Sequence, residues 1–189
     1  MPKVVDHQQR RRELAGAVWR VITRDGVADV SIRAVAAESG WSTGALRHYF
    51  ATRAELLAFA CEEVIAQVTT RLTGMAVPPD PRAAGTVVLL ETMPVDERRR
   101  TEAEIAFAFL ALGLQDAALA RVQRLHFSSM FELCLRLVTQ LAPGLSNPRG
   151  AARRLHAVVD GLTVHVLAGH LTPAEMVAEL GAHLDTVPG

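Results

Sequence analysis

Apolar side chains recur every three to four residues along almost the whole chain, and this spacing constrains the fold more than any other feature. Leu14, Val18, Val21 and Ile22 stand at i, i+4, i+7 and i+8, which predicts an amphipathic helix from about Asp6 to Arg24, ended by Gly26. Ser31 is placed to cap a short second helix, Ile32 to Glu38, with Ile32, Val35 and Ala36 on one face. Ser39-Gly40-Trp41 reads as a tight turn, and Ser42 as the cap of a third short helix reaching about Phe50. Thr52, with Glu55 three residues later, forms a capping box for a long fourth helix through Leu56, Ala60, Val64 and Val68 to Gly74. Beyond the break Val77-Pro78-Pro79-Asp80-Pro81, helices are expected over 81–92, 96–114, 116–142, 148–168 and 173–186. No strand-like alternation, internal repeat or low-complexity stretch competes. The expected fold is all-α with about nine helices.

Composition excludes several classes. With 189 residues, half of them hydrophobic and a fifth charged, the chain is long enough to bury a core and is not disordered in composition. The longest apolar run, Ile105 to Leu114, is too short to cross a bilayer and lies between Glu104 and Gln115. No secretory leader pattern opens the sequence, and Cys61 and Cys134 are a distant pair without a CxxC motif. A reduced, cytoplasmic protein without a disulfide or a metal is expected. The net charge of zero hides a polarity. Residues 1–60 hold nine basic side chains (Lys3, Arg10, Arg11, Arg12, Arg20, Arg24, Arg33, Arg47, Arg53) against six acidic ones. The remainder carries the matching acidic excess. A basic head on an acidic body suits a polyanionic partner, though ordinary scatter of surface charge gives the same count.

Residues 31–49 have the parts of a helix-turn-helix: two short helices, a turn glycine, and Val35, Ala36, Leu46 and Phe50 to lock them together. With Leu46 inward, 100° per residue sets Phe50 beside it and turns Gly44, Arg47 and His48 away, with Thr43 at the edge of that outward face. Arginine can bond two acceptors on guanine, and threonine can meet a base edge or a thymine methyl. Gly44 permits close approach at the helix start, where phosphate is favoured. Arg10, Arg11 and Arg12, leading into the first helix, have the charge to reach phosphates or a minor groove.

The stretch Gly40-Trp-Ser-Thr-Gly-Ala-Leu-Arg-His-Tyr-Phe50, followed by Ala-Thr-Arg-Ala-Glu-Leu-Leu57, resembles the DNA-binding head of TetR-type transcriptional repressors over residues 10–60. The body resembles the BetI-like branch, through Met93 to Arg100 leading into Glu104–Leu114, Val159 to His165, and Leu171 to Glu175. The resemblance implies a DNA-binding domain over 1–52 and a ligand-binding, dimerising domain over 53–189. It implies phosphate or base contacts by Ser31 and Arg33, base reading by Thr43, Gly44, Arg47 and His48, and phosphate grip by Tyr49 and Arg53. Ser42, at the helix start, belongs to the same expected interface. The sequence departs from the common pattern at Arg47, where an aromatic is usual, and at Trp41, expected to fill the crevice between the two short helices.

The resemblance further implies a homodimer on a palindromic operator, and an effector cavity within residues 60–142. Stripes of Leu155, Val158, Val159, Leu162 and Val166, and of Met176, Leu180 and Leu184, suit a four-helix dimer interface; the chain's own core would give the same periodicity. Met75, Met93, Phe107, Phe127, Met130 and Phe131 are pocket candidates, though each such side chain is more often plain core than pocket lining, and Glu104 and His126 are polar residues able to orient a ligand or equally to face solvent. An apolar or amphipathic effector is expected. No catalytic motif is present: His156, His165, His170 and His183 form no HExxH, and the His165–His170 spacing suits no shared metal. No cofactor is expected. The rival reading is a helical protein-interaction module that binds no specific DNA sequence.

Overall fold

The computed structural model describes residues 7–113 and 116–187, and every regular element among them is helical. In chain order these are α1 (His7–Asp25), α2 (Ile32–Ser39), α3 (Thr43–Tyr49), α4 (Arg53–Gly74), α5 (Pro81–Leu90), α6 (Glu97–Gly113), α7 (Ala117–Leu141), α8 (Pro148–Leu167) and α9 (Pro173–Asp185). A 3-10 turn, Val27–Asp29, joins α1 to α2. The predicted helices match these to within a residue or two. The expected start at Asp6 and the end of the sixth helix at Leu114 lie outside the described residues.

Caps explain the boundaries. Ser31, Ser42, Asp80, Asn147 and Thr172 each accept, through a side-chain oxygen, the backbone N–H three residues on. Thr52 does the same for Glu55, but Glu55 Oε2 accepts from Ala51 N at 2.8 Å, one residue before the position a regular capping box would use. Gly40 closes α2 in the left-handed region at φ 72°, a conformation that disfavours a side chain.

The chain forms two compact units. The first runs through residue 67 and takes in 105–123; the second comprises 68–104 and the residues from 124 on. These packing units do not follow the sequence border at 52, because the first half of α4 belongs to the head's core. In the first unit Leu14, Val18, Val21 and Ile22 of α1 are buried with Val35 and Ala36 of α2, Leu46 of α3, and Leu56, Leu57 and Phe59 of α4. The predicted lock of Val35, Ala36, Leu46 and Phe50 is buried throughout. The Trp19 indole N–H donates to Ala60 O at 3.3 Å, tying α1 to α4. Two arginines of α1 brace α2 through one carboxylate: Arg20 and Arg24 reach Glu38 at 2.6 and 2.7 Å.

In the second unit the core is built from Leu89, Met93, Cys134, Leu137 and Val138 with the inner faces of α8 and α9. This corrects the expected interface. Leu155, Val159, Val166, Met176, Leu180 and Leu184 are at most 2% exposed and belong to the chain's own core; Val158 and Leu162 are half-buried. An amphipathic stripe reports which face is buried and not which chain buries it. A carboxylate cluster sits in the same unit: Arg71 bridges Glu91 and Glu102, both at 2.6 Å, and Arg98 and Arg99 also reach Glu91 at 3.1 Å. Cys61 and Cys134 are free and buried, one in each unit, and burial pushes both thiols up to about 12.

Candidate nucleic-acid interface

The candidate reading face is α3. Ser42 caps it, Leu46 anchors it at zero exposure, and Thr43, Gly44, Arg47, His48 and Tyr49 are all exposed. A Cβ built on Gly44 would meet only Ser42 Oγ, at 4.0 Å, so the helix start is open to close approach. Arg47 has no hydrogen-bond or ion-pair partner among the described residues, and neither has the exposed Arg33 on α2. Ser31 spends its hydroxyl oxygen on Ala34 N at 3.1 Å as the α2 cap, which keeps its hydroxyl proton available. His48 and Tyr49 meet edge to face at 5.8 Å, and Tyr49 is 49% exposed.

The other basic residues are placed differently from expectation. Arg53 was expected to hold phosphate. Its Nε donates to Val30 O at 2.7 Å, and its Nη2 donates to Val27 O at 2.5 Å and to Ala28 O at 3.4 Å. The guanidinium fork therefore closes the turn before α2, and only Nη1 is left for another partner. The sequence held no signal for this, because the acceptors are backbone carbonyls of a 3-10 turn that periodicity does not reveal. Arg10, Arg11 and Arg12 lie in the first turns of α1, inside the helix expected from about Asp6, and two of them are engaged within the protein. Arg11 reaches Glu63 at 3.0 Å and covers the Phe59 ring at 4.6 Å, while Arg10 sits 5.6 Å from the centroid of Trp41. Trp41 is half-buried. It packs on Tyr49 of α3 at 5.8 Å and under Arg10 of α1.

The pocket candidates divide. Phe107 lies in the first unit, the rest in the second. Met93 and Met130 are core, Met75 is half-buried, and Glu104 pairs with Arg100 at 3.0 Å on a partly exposed edge. Phe131 is covered by Arg149 and Arg153 at 4.9 and 5.8 Å. His126 and Phe127 do gather with polar groups that were not anticipated. The rings of His126 and Phe127 are 5.8 Å apart, as are those of Phe127 and His156. His156 Nε2 is buried without a hydrogen bond, 3.4 Å from Asp160 Oδ2. Burial, aided by the neighbouring His156, pushes His126 down to about 4, and burial raises Asp160 above the usual carboxylate range. The i, i+4 spacing of His156 and Asp160 was the missed signal. A second correction concerns His165 and His170: the turn at Gly169, φ 73°, brings their rings to 5.0 Å. No group of three metal-ligating side chains exists among the described residues, and none of their helices is long and apolar enough to cross a membrane.

Comparison with known proteins agrees with this geometry. The model for bacterial regulatory proteins of the tetR family matches residues 15–59, the span of the head's core. The model for the C-terminal part of BetI-type transcriptional repressors matches residues 81–189. The HTH-type transcriptional regulator PksA of Bacillus subtilis (strain 168) is 40% identical over 174 residues, covering 88% of this chain and 83% of that protein. BetI of Stenotrophomonas maltophilia (strain R551-3) is 27% identical over 181 residues, covering 95% of this chain and 90% of that one. The crystal structure of a transcriptional regulator from Rhodococcus sp. Rha1 superposes with a TM-score of 0.85 at 26% identity, covering 94% of this chain and 95% of that one. The exposed, capped α3 over a locked helix-turn-helix is thus the head of a known class of DNA-binding regulators, and the chain belongs to the TetR family, with a body of the BetI type.

Proposed function

We propose that this transcriptional regulator is a homodimeric repressor that lays α3 of each protomer in the major groove of a palindromic operator and is released by a small-molecule effector held in the body. The observation that carries the reading is the free outward face of α3, with Thr43, Gly44, Arg47 and His48 exposed and Arg47 unpaired among the described residues. Arg47 would read guanine through two acceptors, and Thr43 a neighbouring base edge. Arg33, Ser31, Ser42 and Tyr49 would set register on phosphates, together with the remaining nitrogen of Arg53. One short helix reads few bases, so two-fold symmetry supplies the rest of the site.

The dimer surface that fits is the outer side of α8 and α9. Ala157, Gly161, Val164 and Ala168 face away from the core on α8, as do Ala174, Ala178 and Ala182 on α9. Val164 is 44% exposed, and a Cβ added to Gly161 or Gly181 meets nothing within 4 Å. Small residues on two neighbouring helices permit the close approach that a four-helix interface needs.

For the effector, the polar anchor that fits best is the His156–Asp160 pair beside His126 and Phe127. A buried imidazole nitrogen that lacks a hydrogen bond costs stability and invites a ligand that satisfies it. A ligand need only bind the DNA-free conformer more tightly to release the operator. A bacterial regulator of this kind works where the chromosome is, in the cytoplasm.

Sequence selection of DNA bound by the purified protein tests the reading, repeated with candidate metabolites. An enriched inverted repeat, binding that weakens steeply with salt, and loss of binding with one metabolite are expected. Failure to enrich any sequence would favour the interaction-module reading instead.

A further inference from the structure

We propose that the head contains a small-molecule site of its own, a cavity between α1, α3 and α4 that takes a flat aromatic anion. The cavity has a volume of about 280 Å³. That is just under the ~300 Å³ at the small end of ligand pockets, so it suits one fused pair of rings rather than a large effector. Trp41, Tyr49, Phe50 and Phe59 line it, which gathers four of the chain's nine aromatic side chains in one place. Leu14 forms part of its apolar wall and is itself 3% exposed. Trp41 and Tyr49 meet at 69°, and Phe50 and Phe59 at 46° with centroids 5.1 Å apart. Rings already set edge-on and tilted offer both stacking and edge contacts to a further ring.

The charge of the occupant follows from the two arginines in the wall. Arg11 is answered by Glu63 at 3.0 Å. Arg10 stacks over Trp41 and has no carboxylate partner among the described residues. The lining thus carries one uncompensated positive charge beside an aromatic floor. A carboxylate on an aromatic ring satisfies both, whereas a cation is repelled and a neutral ring leaves the guanidinium unanswered. Tyr49 and the capping Phe50 end the reading helix, so an occupied cavity alters its last turn. Ligand and operator then change each other's affinity by the same factor, a consequence that rests on the DNA-binding reading above, as the site itself does not.

The test is calorimetric titration of the full-length protein, without DNA, with sodium 2-naphthoate and with the neutral 2-naphthamide. Saturable binding of the naphthoate is expected, about tenfold weaker for the amide and about tenfold weaker on Arg10→Met, which keeps the packing stem and loses the charge. In a Trp19→Phe background Trp41 is the sole indole, and its fluorescence should respond along the same isotherm. No saturable binding, equal affinity for the amide, or affinity unchanged by Arg10→Met overturns the proposal, the last by placing the ligand elsewhere. Because no DNA is present, such a failure is distinct from a failure of the operator reading.

Discussion

Arg47 and Arg53 are both arginines near the end of the head, and their surroundings give them opposite work. Arg47 stands alone on the outward face of α3, so its fork is available to a base edge. Arg47→Ala should weaken operator binding by about 1–3 kcal/mol and relax base preference at one position per half-site. Sequence selection with the variant checks this; a uniform loss across all sequences would make Arg47 a phosphate contact. Arg53 holds the carbonyls of Val27, Ala28 and Val30. Arg53→Ala should destabilise the head by about 1–3 kcal/mol, since charged hydrogen bonds to three carbonyls are lost together. Chemical denaturation measures it. If DNA affinity falls with a smaller salt slope while stability stays unchanged, the clamp is not its main role. The sequence could rank both residues as basic and outward of the lock, but only the path of the intervening turn decides which one is spent at home.

At the scale of elements, the helices were legible because most of their ends carry local chemistry: a hydroxyl, carboxylate or amide at the start, glycine or proline at the stop. The 3-10 turn was not legible, since three residues have no periodicity to read. Nor were the pairings between helices, which depend on crossing geometry. Glu38 illustrates this. Bonds from Arg20 and Arg24 hold its carboxyl below the usual carboxylate range, so it adds stability above its ordinary value near 4.5 and loses it as pH falls through the folded value. Thermal melts from pH 6 down to pH 3 should show a fall that Glu38→Gln reduces; an unchanged profile would mean the brace is inert. The α7–α8 pair predicts a second pH effect at higher pH. His126, pushed down to about 4 by burial, is neutral in the folded chain and charges readily when unfolded. Stability should therefore drop as pH falls from about 6.5 towards 4, and His126→Phe should flatten that drop. Melts at pH 7.5 and pH 5 compare the two proteins directly, and equal slopes would remove His126 as the cause.

For the whole molecule, periodicity identified the two apolar stripes of α8 and α9 but could not assign their owner. The structure gives the bulky stripe to the chain's own core and leaves small residues outside. A bulky interior face is what one chain needs to fill its volume, while a small exterior face lets a second copy approach. The two faces are separable by one substitution. Gly161 lies mid-helix, and Gly161→Leu starts from a Cβ that meets nothing within 4 Å in the protomer. It should even favour the α8 helix by about 1 kcal/mol through loss of glycine's backbone freedom. If the outer face is the dimer surface, the same side chain wedges the two copies apart. The variant should keep its helical circular-dichroism signal, sediment as a monomer, and bind an inverted-repeat operator far more weakly than the dimer does, at about the affinity of a single half-site, because the second head no longer arrives with the first. Gly161→Ala, one methyl rather than four carbons, should dimerise nearly as well. A Gly161→Leu protein that sediments as a dimer and binds its operator normally would exclude this face, and with it the two-headed geometry built on α8 and α9.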